Sequence, residues 1–358
     1  MTGMWAYVAK RLLLMVPTLI GIVTISFIII QFVPGGPIEQ MQARLMGAQV
    51  SATATIGGDS GALGGTMSAT GELPEEMMEE LEKLYGFDKP VHERYFKMLW
   101  DFARFDFGDS YYKDRPVIEL IVERLPVSVS LGLWTLLLTY LVSIPLGVRK
   151  AVRAGTRFDA WTSVAVTIGY AIPGFLFAIL LVVLFAGGTF FDWFPSQGLV
   201  SENWEDLSWP ARIIDYFHHL ALPVTAMVIG TFASLTMLTK NSILDEIGKQ
   251  YVTTARAKGQ SERGVLYGHV FRNAMLIVIA GFPAALIGVL FTSTLIIEVI
   301  FSLDGMGLLG FEATINRDFP VMLGTLFIFS LLGLVANLLG DITYTLVDPR
   351  IDFEKRDV

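Results

Sequence analysis

An all-α polytopic membrane fold with six transmembrane helices is what this sequence predicts, and three observations predict it. The 358 residues are 53% hydrophobic and only 17% charged, with a mean hydropathy of +0.57, which lies outside the range of soluble domains. Six apolar runs are long enough to cross about 30 Å of hydrocarbon, a distance that takes about 20 helical residues. Between the fourth and fifth runs lies a basic, polar segment, residues 240–273, that has to face water or a partner in water.

The runs are approximately Leu12 to Val33, Val127 to Val148, Trp161 to Gly187, Leu220 to Thr239, Ala274 to Ile297 and Val321 to Val347. Lys10 and Arg11 precede the first as they would precede a secretory signal. That run is longer than a signal's apolar core, however, and ends in Pro34-Gly35-Gly36-Pro37 with no small-residue cleavage pattern. Residues 1–33 therefore read as a retained N-terminal anchor helix.

Residues 34–126 are too long for a simple turn. From Met46 to Gly71 they are rich in Gly, Ala, Ser and Thr and have little to bury, so a mobile low-complexity excursion is expected. From Pro74, PEEMMEELEKLYGF carries acidic residues in its first turn and apolar residues at Met77, Met78, Leu81 and Leu84, a helical spacing. The following KPVHERYFKMLWDFARFDFG repeats that spacing through Tyr95, Phe96, Leu99, Trp100 and Phe102, the pattern of a helix packed on the membrane edge or on its neighbours. Residues 127–347 then form the core with five spans, and 348–358 a short tail.

Orientation follows from the Lys/Arg bias of the short loops. The loop after span two carries Arg149, Lys150, Arg153 and Arg157 against Asp159, and the loop after span four carries Lys240, Lys249, Arg256, Lys258, Arg263 and Arg272. After span three stands Arg212 against Asp192, Glu202, Glu205, Asp206 and Asp215; after span five, Arg317 against Glu298, Asp304, Glu312 and Asp318. Both termini and residues 240–273 are thus expected in the cytoplasm, with residues 34–126 outside. A net charge of −8 adds little to this, and the absence of Cys removes disulfides and thiolate metal sites. No nucleic-acid signature occurs.

Within the basic segment, YVTTARAKG (251–259) combines good helix formers with a Gly that stops them, and Ser261 to Asn273 leads straight into the next span. A short helix on the membrane surface is expected. Thr254, Ala255 and Ala257 are small enough for close seating of a partner, Arg256 and Lys258 are donors for its carboxylates or carbonyls, and Gly259 supports the closing turn. The plainer account of such cations is topology or anionic lipid, and for Lys240 and Arg272, which flank the spans, that account is preferred.

The segment resembles the cytoplasmic coupling loop, or EAA loop, of permease subunits of bacterial ABC importers, in the version of the dipeptide, oligopeptide and nickel group. The pattern Glu-Ala-Ala, three residues, Gly, nine residues, Ile, one residue, Leu-Pro falls on Thr253, Thr254 and Ala255, then Gly259, His269 and Phe271-Arg272. Two Thr thus replace Glu and Ala, which removes any ion pair at the first position. YVAKRLLLMVPTLIGIVTISFIIIQFVPGGP, KPVHERYFKMLWDFARFDFGDS and YTLVDPRIDF also resemble that group. The long outer excursion and the wording of the loop are most similar to its YejB-like subgroup, associated with peptides and microcin C.

The resemblance implies a type I ABC importer permease fold and a non-catalytic subunit that moves oligopeptides or peptide-like compounds inward. It implies a second homologous permease, two ABC ATPase subunits or domains that seat the helix of Tyr251, Thr254, Ala255, Arg256, Ala257, Lys258 and Gly259, and a periplasmic solute-binding protein. ATP and magnesium would belong to the ATPases; no cofactor is expected in this chain.

The residues themselves weigh against two rivals. No G-x-x-x-x-G-K-[ST], Gly-x-Ser-x-Gly or H-E-x-x-H occurs, so neither a nucleotide site nor a membrane-embedded hydrolase is legible. His218 and His219 are adjacent and read as interfacial anchors rather than metal ligands. An ion-coupled secondary transporter needs ionisable groups at membrane depth, and the spans offer one clear case, Asp341, near the inner end of span six beside Tyr344 and Arg350. An interfacial hydrogen-bonding role is expected for it. Asn337, Thr225, Thr231 and Ser234 are expected to join helices.

Overall fold

The computed structural model describes residues 2–32, 89–188, 190–291 and 294–347. The low-complexity stretch at 46–71, the helix expected from Pro74, and Arg350 with the YTLVDPR exit beyond Val347 lie outside the described residues. Among those residues the regular elements are all helices, and the one β-type pairing is an isolated bridge between Asp109 and Pro116.

The elements in order are α1 (Thr2–Phe32), α2 (Val91–Ala103), α3 (Val117–Val152), α4 (Arg157–Ala171), α5 (Gly174–Phe185), a 3-10 turn at Trp204–Asp206, and α6 (Trp209–Ile247). Then follow α7 (Gln250–Ala257), α8 (Glu262–Val265), a π-helical turn at Leu266–Val270, α9 (Phe271–Ala280), α10 (Phe282–Phe291), α11 (Thr294–Ile300), α12 (Met306–Asn316) and α13 (Phe319–Val347). Four helices, α1, α3, α6 and α13, are long and apolar enough to span alone. With α4–α5 and the α8–α10 stretch each taken as one bent span, six result, the number of apolar runs in the sequence.

Two of the expected spans are not straight. The run from Trp161 to Gly187 breaks between α4 and α5 with a bend of 94°. Pro173 supplies no N–H and pushes the residue before it out of the helical region, and Ile172 indeed has φ −84°, ψ 119°. The fifth run bends by 41° at Gly281. By contrast α3 and α6 are longer than their apolar runs, at 36 and 39 residues, and so project beyond the hydrocarbon.

The described residues fall into two compact units, the first within Met1–Arg11, Leu125–Leu308 and Leu332–Val358, the second within Leu12–Arg124 and Leu309–Leu331. In the first, α6 is the central helix, and α3 turns an unusual face towards it. Ser128, Thr135, Thr139, Ser143 and Lys150 of α3 are buried, whereas Leu133, Leu137, Leu141 and Val142 are exposed. Thr139 shares a 3.0 Å hydrogen bond with Thr231, and Ser143 donates to the Phe232 carbonyl at 3.0 Å. Lipid is as apolar as Leu, so small and polar residues hold such helices together while the large apolar ones are left to the bilayer. Gly147 allows the closest approach: a Cβ there would lie 2.6 Å from Thr239 Cβ.

The apolar core of this unit gathers Leu131 of α3, Ala178 and Leu181 of α5, Leu222 and Ala226 of α6, Ile297 of α11 and Phe301 just beyond its end. Beside it Glu298, wholly buried, accepts from the Leu308 backbone N–H at 2.7 Å and from Ser128 Oγ at 3.1 Å. Ser128 Oγ in turn accepts from Met306 N–H at 2.8 Å. These two side chains cap the N-terminus of α12, whose first N–H groups have no helical partner. Gly305 leaves room for the carboxylate, since any Cβ would overlap Glu298.

In the second unit, α2 packs through Tyr95, Leu99 and Phe102 of the five residues that its spacing singled out. Tyr95 contacts Phe27 at 5.5 Å and shares a 2.7 Å hydrogen bond with Thr24 of α1, and Phe102 is buried against Phe107 and Phe327. Phe96 and Trp100 remain exposed. Asp318 accepts from Ser110 Oγ and from the Tyr111 N–H, fixing the loop before α3 to the start of α13.

Candidate coupling site

Residues 250–273 fold as expected into a short helix, a turn and a second helical run, whereas residues 240–247, expected beyond the end of the fourth span, continue α6. An eight-residue helix has too few internal bonds to be stable alone, and α7 is held by Val252 and Ala255, which are buried with Val148, Ile243, Val265, Val270 and Ala274. Burying Val252 contributes on the order of 2 kcal/mol. The helix ends in a Schellman motif: Gly259 N–H donates to Arg256 O at 2.9 Å and Gln260 N–H to Ala255 O at 3.3 Å. Gly259 stands at φ +80°, where a side chain would be strained. Ser261 then caps α8 by accepting from Gly264 N–H at 3.2 Å.

The site residues named from the sequence divide between two faces. Thr254, Arg256, Ala257, Lys258 and Gly259 are exposed and Tyr251 is half-buried. Ala255 is not available for seating a partner, because i and i+3 share a helix face and it follows Val252 inward. The Arg256 guanidinium is also engaged within the chain. The turn at Gly259 brings Glu262 back, and Arg256 Nε and Nη2 donate to its two carboxylate oxygens at 2.9 and 3.1 Å. Between this pair and the ends of α3 and α6 lies a groove of about 440 Å³ lined by Val152, Leu244, Ile247 and Leu266.

The start of the segment is anchored by Glu246, which accepts from Lys249 Nζ and from the Tyr251 hydroxyl, the latter at 2.7 Å. The bond to Glu246 raises the Lys249 ammonium above its usual value, and burial raises the Tyr251 phenol. Both donors therefore keep their protons at neutral pH. The base of the segment carries a link that the sequence reading assigned to topology: Lys240 Nζ lies 2.7 Å from both oxygens of Asp159. Of the groups expected to join helices, Thr231 does so through Thr139, whereas Thr225 bonds its own helix at Ala221 O and Asn337 and Ser234 are exposed. His218 and His219 bond the carbonyls of Trp193 and Asp215 at 2.6 and 2.9 Å. Asp341 meets Tyr7 and Arg11 of α1.

The model of the binding-protein-dependent transport system inner membrane component matches residues 143–353, more than half of the chain and all of this segment. The chain belongs to that family. The permease is 57% identical to the peptidoglycan transport system permease protein YejB of Agrobacterium fabrum, over 99% of this chain and 100% of that one. It is also 57% identical to the inner membrane ABC transporter permease protein YejB of Escherichia coli O157:H7, with the same coverage. The oligopeptide transport system permease protein AppB of Bacillus subtilis is 33% identical over 98% of this chain and 100% of its own. The permease is thus a multi-pass inner membrane component of a binding-protein-dependent transport system. Its resemblance to the peptide-importer group, and to the YejB-like subgroup within it, is borne out.

Proposed function

We propose that this permease carries peptides inward in an ATP-driven importer and that α7 is the helix through which ATPase subunits drive it. The observation that carries this reading is the division of α7. Val252 and Ala255 fasten it to the ends of α3, α6 and α9, while Thr254, Ala257 and Lys258 stay exposed beside the braced Arg256. A helix that transmits force has to be stiff, attached on one side and open on the other, and the Schellman turn and the Arg256–Glu262 pair stiffen it.

In this reading both termini and α7 face the cytoplasm, as the Lys/Arg bias of the loops favours. The partners are a second homologous permease, two ATPase subunits or domains that hold ATP and magnesium, and a periplasmic solute-binding protein. ATP binding closes the ATPases and carries both coupling helices with them; the cavity between the permeases turns outward, receives peptide, and is reset by hydrolysis. The cargo is an oligopeptide or a peptide-like compound such as microcin C, a class supported by the oligopeptide system named for AppB and the peptidoglycan system named for the Agrobacterium relative.

The test is to purify the complex through a tag on this chain, identify the copurifying subunits and follow uptake of labelled peptide into proteoliposomes. ATP-dependent uptake that requires the binding protein is expected. A chain that purifies alone and transports on an ion gradient without ATP would overturn the proposal.

A further inference from the structure

Lys150, Asp159 and Lys240 join the end of α3, the start of α4 and α6 two turns before its end through one buried carboxylate. Lys150, at the end of α3, is fully buried; its Nζ lies 3.0 Å from Asp159 Oδ1, 3.1 Å from Asp159 O, 2.9 Å from Thr162 Oγ1 and 2.7 Å from Ser163 Oγ. Asp159, in the first turn of α4, also accepts from Gly155 N–H at 3.3 Å. Lys240 reaches it from α6, at 2.7 Å from each oxygen. The side chains of Asp159 and Lys240 are only 11% and 13% exposed, so Lys240 does not lie out among lipid headgroups as a topology signal would.

Stability is a poor reason for such a cluster. Desolvating charges costs about what their attraction returns, and apolar residues of similar size often do as well. What a carboxylate shared by two ammonium groups adds is direction: it holds three helices at fixed distances, which apolar packing, free to slide, does not. Lys240 is also the residue at which the basic segment starts. From there α6 runs unbroken to Ile247, and α7 begins at Gln250.

We infer that Asp159 is a positioning residue for energy coupling: through Lys240 it pins α6 at the base of the coupling segment to the α3–α4 hairpin, so that displacement of α7 moves the spans instead of bending α6. This rests on the reading of α7 as the ATPase-seating helix. Removing Asp159 would leave two buried ammonium groups facing each other, so an Asp159 variant confounds coupling with folding. Lys240→Met is the cleaner change. It cuts only the link from α6 and leaves Lys150 and Asp159 as a balanced pair, whereas Lys240→Arg keeps a donor fork that suits a carboxylate.

The experiment compares these two variants in the whole purified importer in proteoliposomes, with a radiolabelled tripeptide mixture, reading peptide moved per ATP hydrolysed, ATPase copurification and half-saturating peptide. Lys240→Met is expected to retain abundance, copurification and half-saturation but to move several-fold less peptide per ATP, and Lys240→Arg to restore the parental ratio. A parental ratio in Lys240→Met overturns the inference. So does equal loss of complex in both variants, which would mark a merely structural link. If the parent shows no ATP-dependent uptake, the importer reading fails and this inference with it; normal uptake in the parent with an unaltered Lys240→Met confines the failure to Lys240 and Asp159.

Discussion

Arg11 on α1 places its Nη2 2.9 Å from Asp341 Oδ2 on α13, and Tyr7, one turn earlier on α1, donates its hydroxyl to the same oxygen at 3.0 Å. Arg11 Nε also donates to the Tyr7 hydroxyl at 2.9 Å, so the three side chains close a ring at the start of the first span. The acidic group that would serve a proton-coupled transporter is thus engaged in tying α1 to α13.

Asp341→Asn keeps an acceptor for Tyr7 and loses the ion pair. With side chains 47% and 29% exposed, a pair of this kind is worth about 0–1 kcal/mol. Uptake of labelled peptide at normal complex abundance should therefore be substantially intact. Asp341→Leu removes both contacts and should lower abundance, seen by quantitative blotting of membranes. Complete loss of uptake in the Asn variant, together with loss of a proton-gradient dependence present in the parent, would instead make Asp341 a coupling group.

The spans were legible because hydrocarbon demands about 20 apolar residues and nothing else in a protein does. The turn after α7 was legible for a similar reason, since a Gly at the end of a helical run has one common use. Tertiary pairing was not. Lys240 and Asp159 are 81 positions apart and Tyr7 and Asp341 334 apart, and a lone charge beside a span looks the same whether it meets lipid or a buried carboxylate. Two signals were present and passed over. Ile172-Pro173 marks the break between α4 and α5, and Val252 with Ala255 marks the inward face of α7. Glu298, one residue past the fifth run, gave no sign of its burial, because its partners Ser128 and Leu308 come from other elements.

Two neighbouring alanines separate seating on the permease from seating on the ATPase. Ala255 is buried, so Ala255→Trp overpacks the cluster around Val252 and should reduce the amount of folded complex. Ala257 is exposed, so Ala257→Trp should leave abundance and insertion unchanged and instead reduce ATPase copurification and peptide-stimulated hydrolysis. Full stimulated turnover in Ala257→Trp would mean that this face of α7 touches nothing.

Gly259 sets the direction in which the chain leaves α7. At φ +80° and with no group beyond its chain neighbours within 4 Å of where a Cβ would stand, Gly259→Ala meets no clash but adopts the left-handed conformation at a cost of about 1 kcal/mol. Gly259→Pro cannot adopt this φ and removes the donor to Arg256 O, so the end of α7 has to reorganise. The expected order of peptide moved per ATP is parent, then Ala, then Pro, with membrane insertion equal in all three. Equal coupling in parent and Pro would show that the turn does not position the helix.

The approach of α3 to α6 can be tested with a pair of glycines that differ only in what surrounds them. A Cβ at Gly147 would stand 2.6 Å from Thr239 Cβ and 2.8 Å from the Thr236 carbonyl oxygen, and backbone cannot yield cheaply. A Cβ at Gly230, on α6, would meet no atom within 4 Å outside its own turn of helix. In either helix Ala should gain up to about 1 kcal/mol over Gly from helix propensity. At Gly147 that gain is set against overpacking of about 1–3 kcal/mol, so the net sign differs between the sites. Gly147→Ala should lower, and Gly230→Ala preserve or raise, the temperature at which the detergent-purified complex loses its monodisperse elution peak. If both variants behave alike, α3 and α6 separate without cost, and the polar face that α3 turns inward does not hold the two helices together.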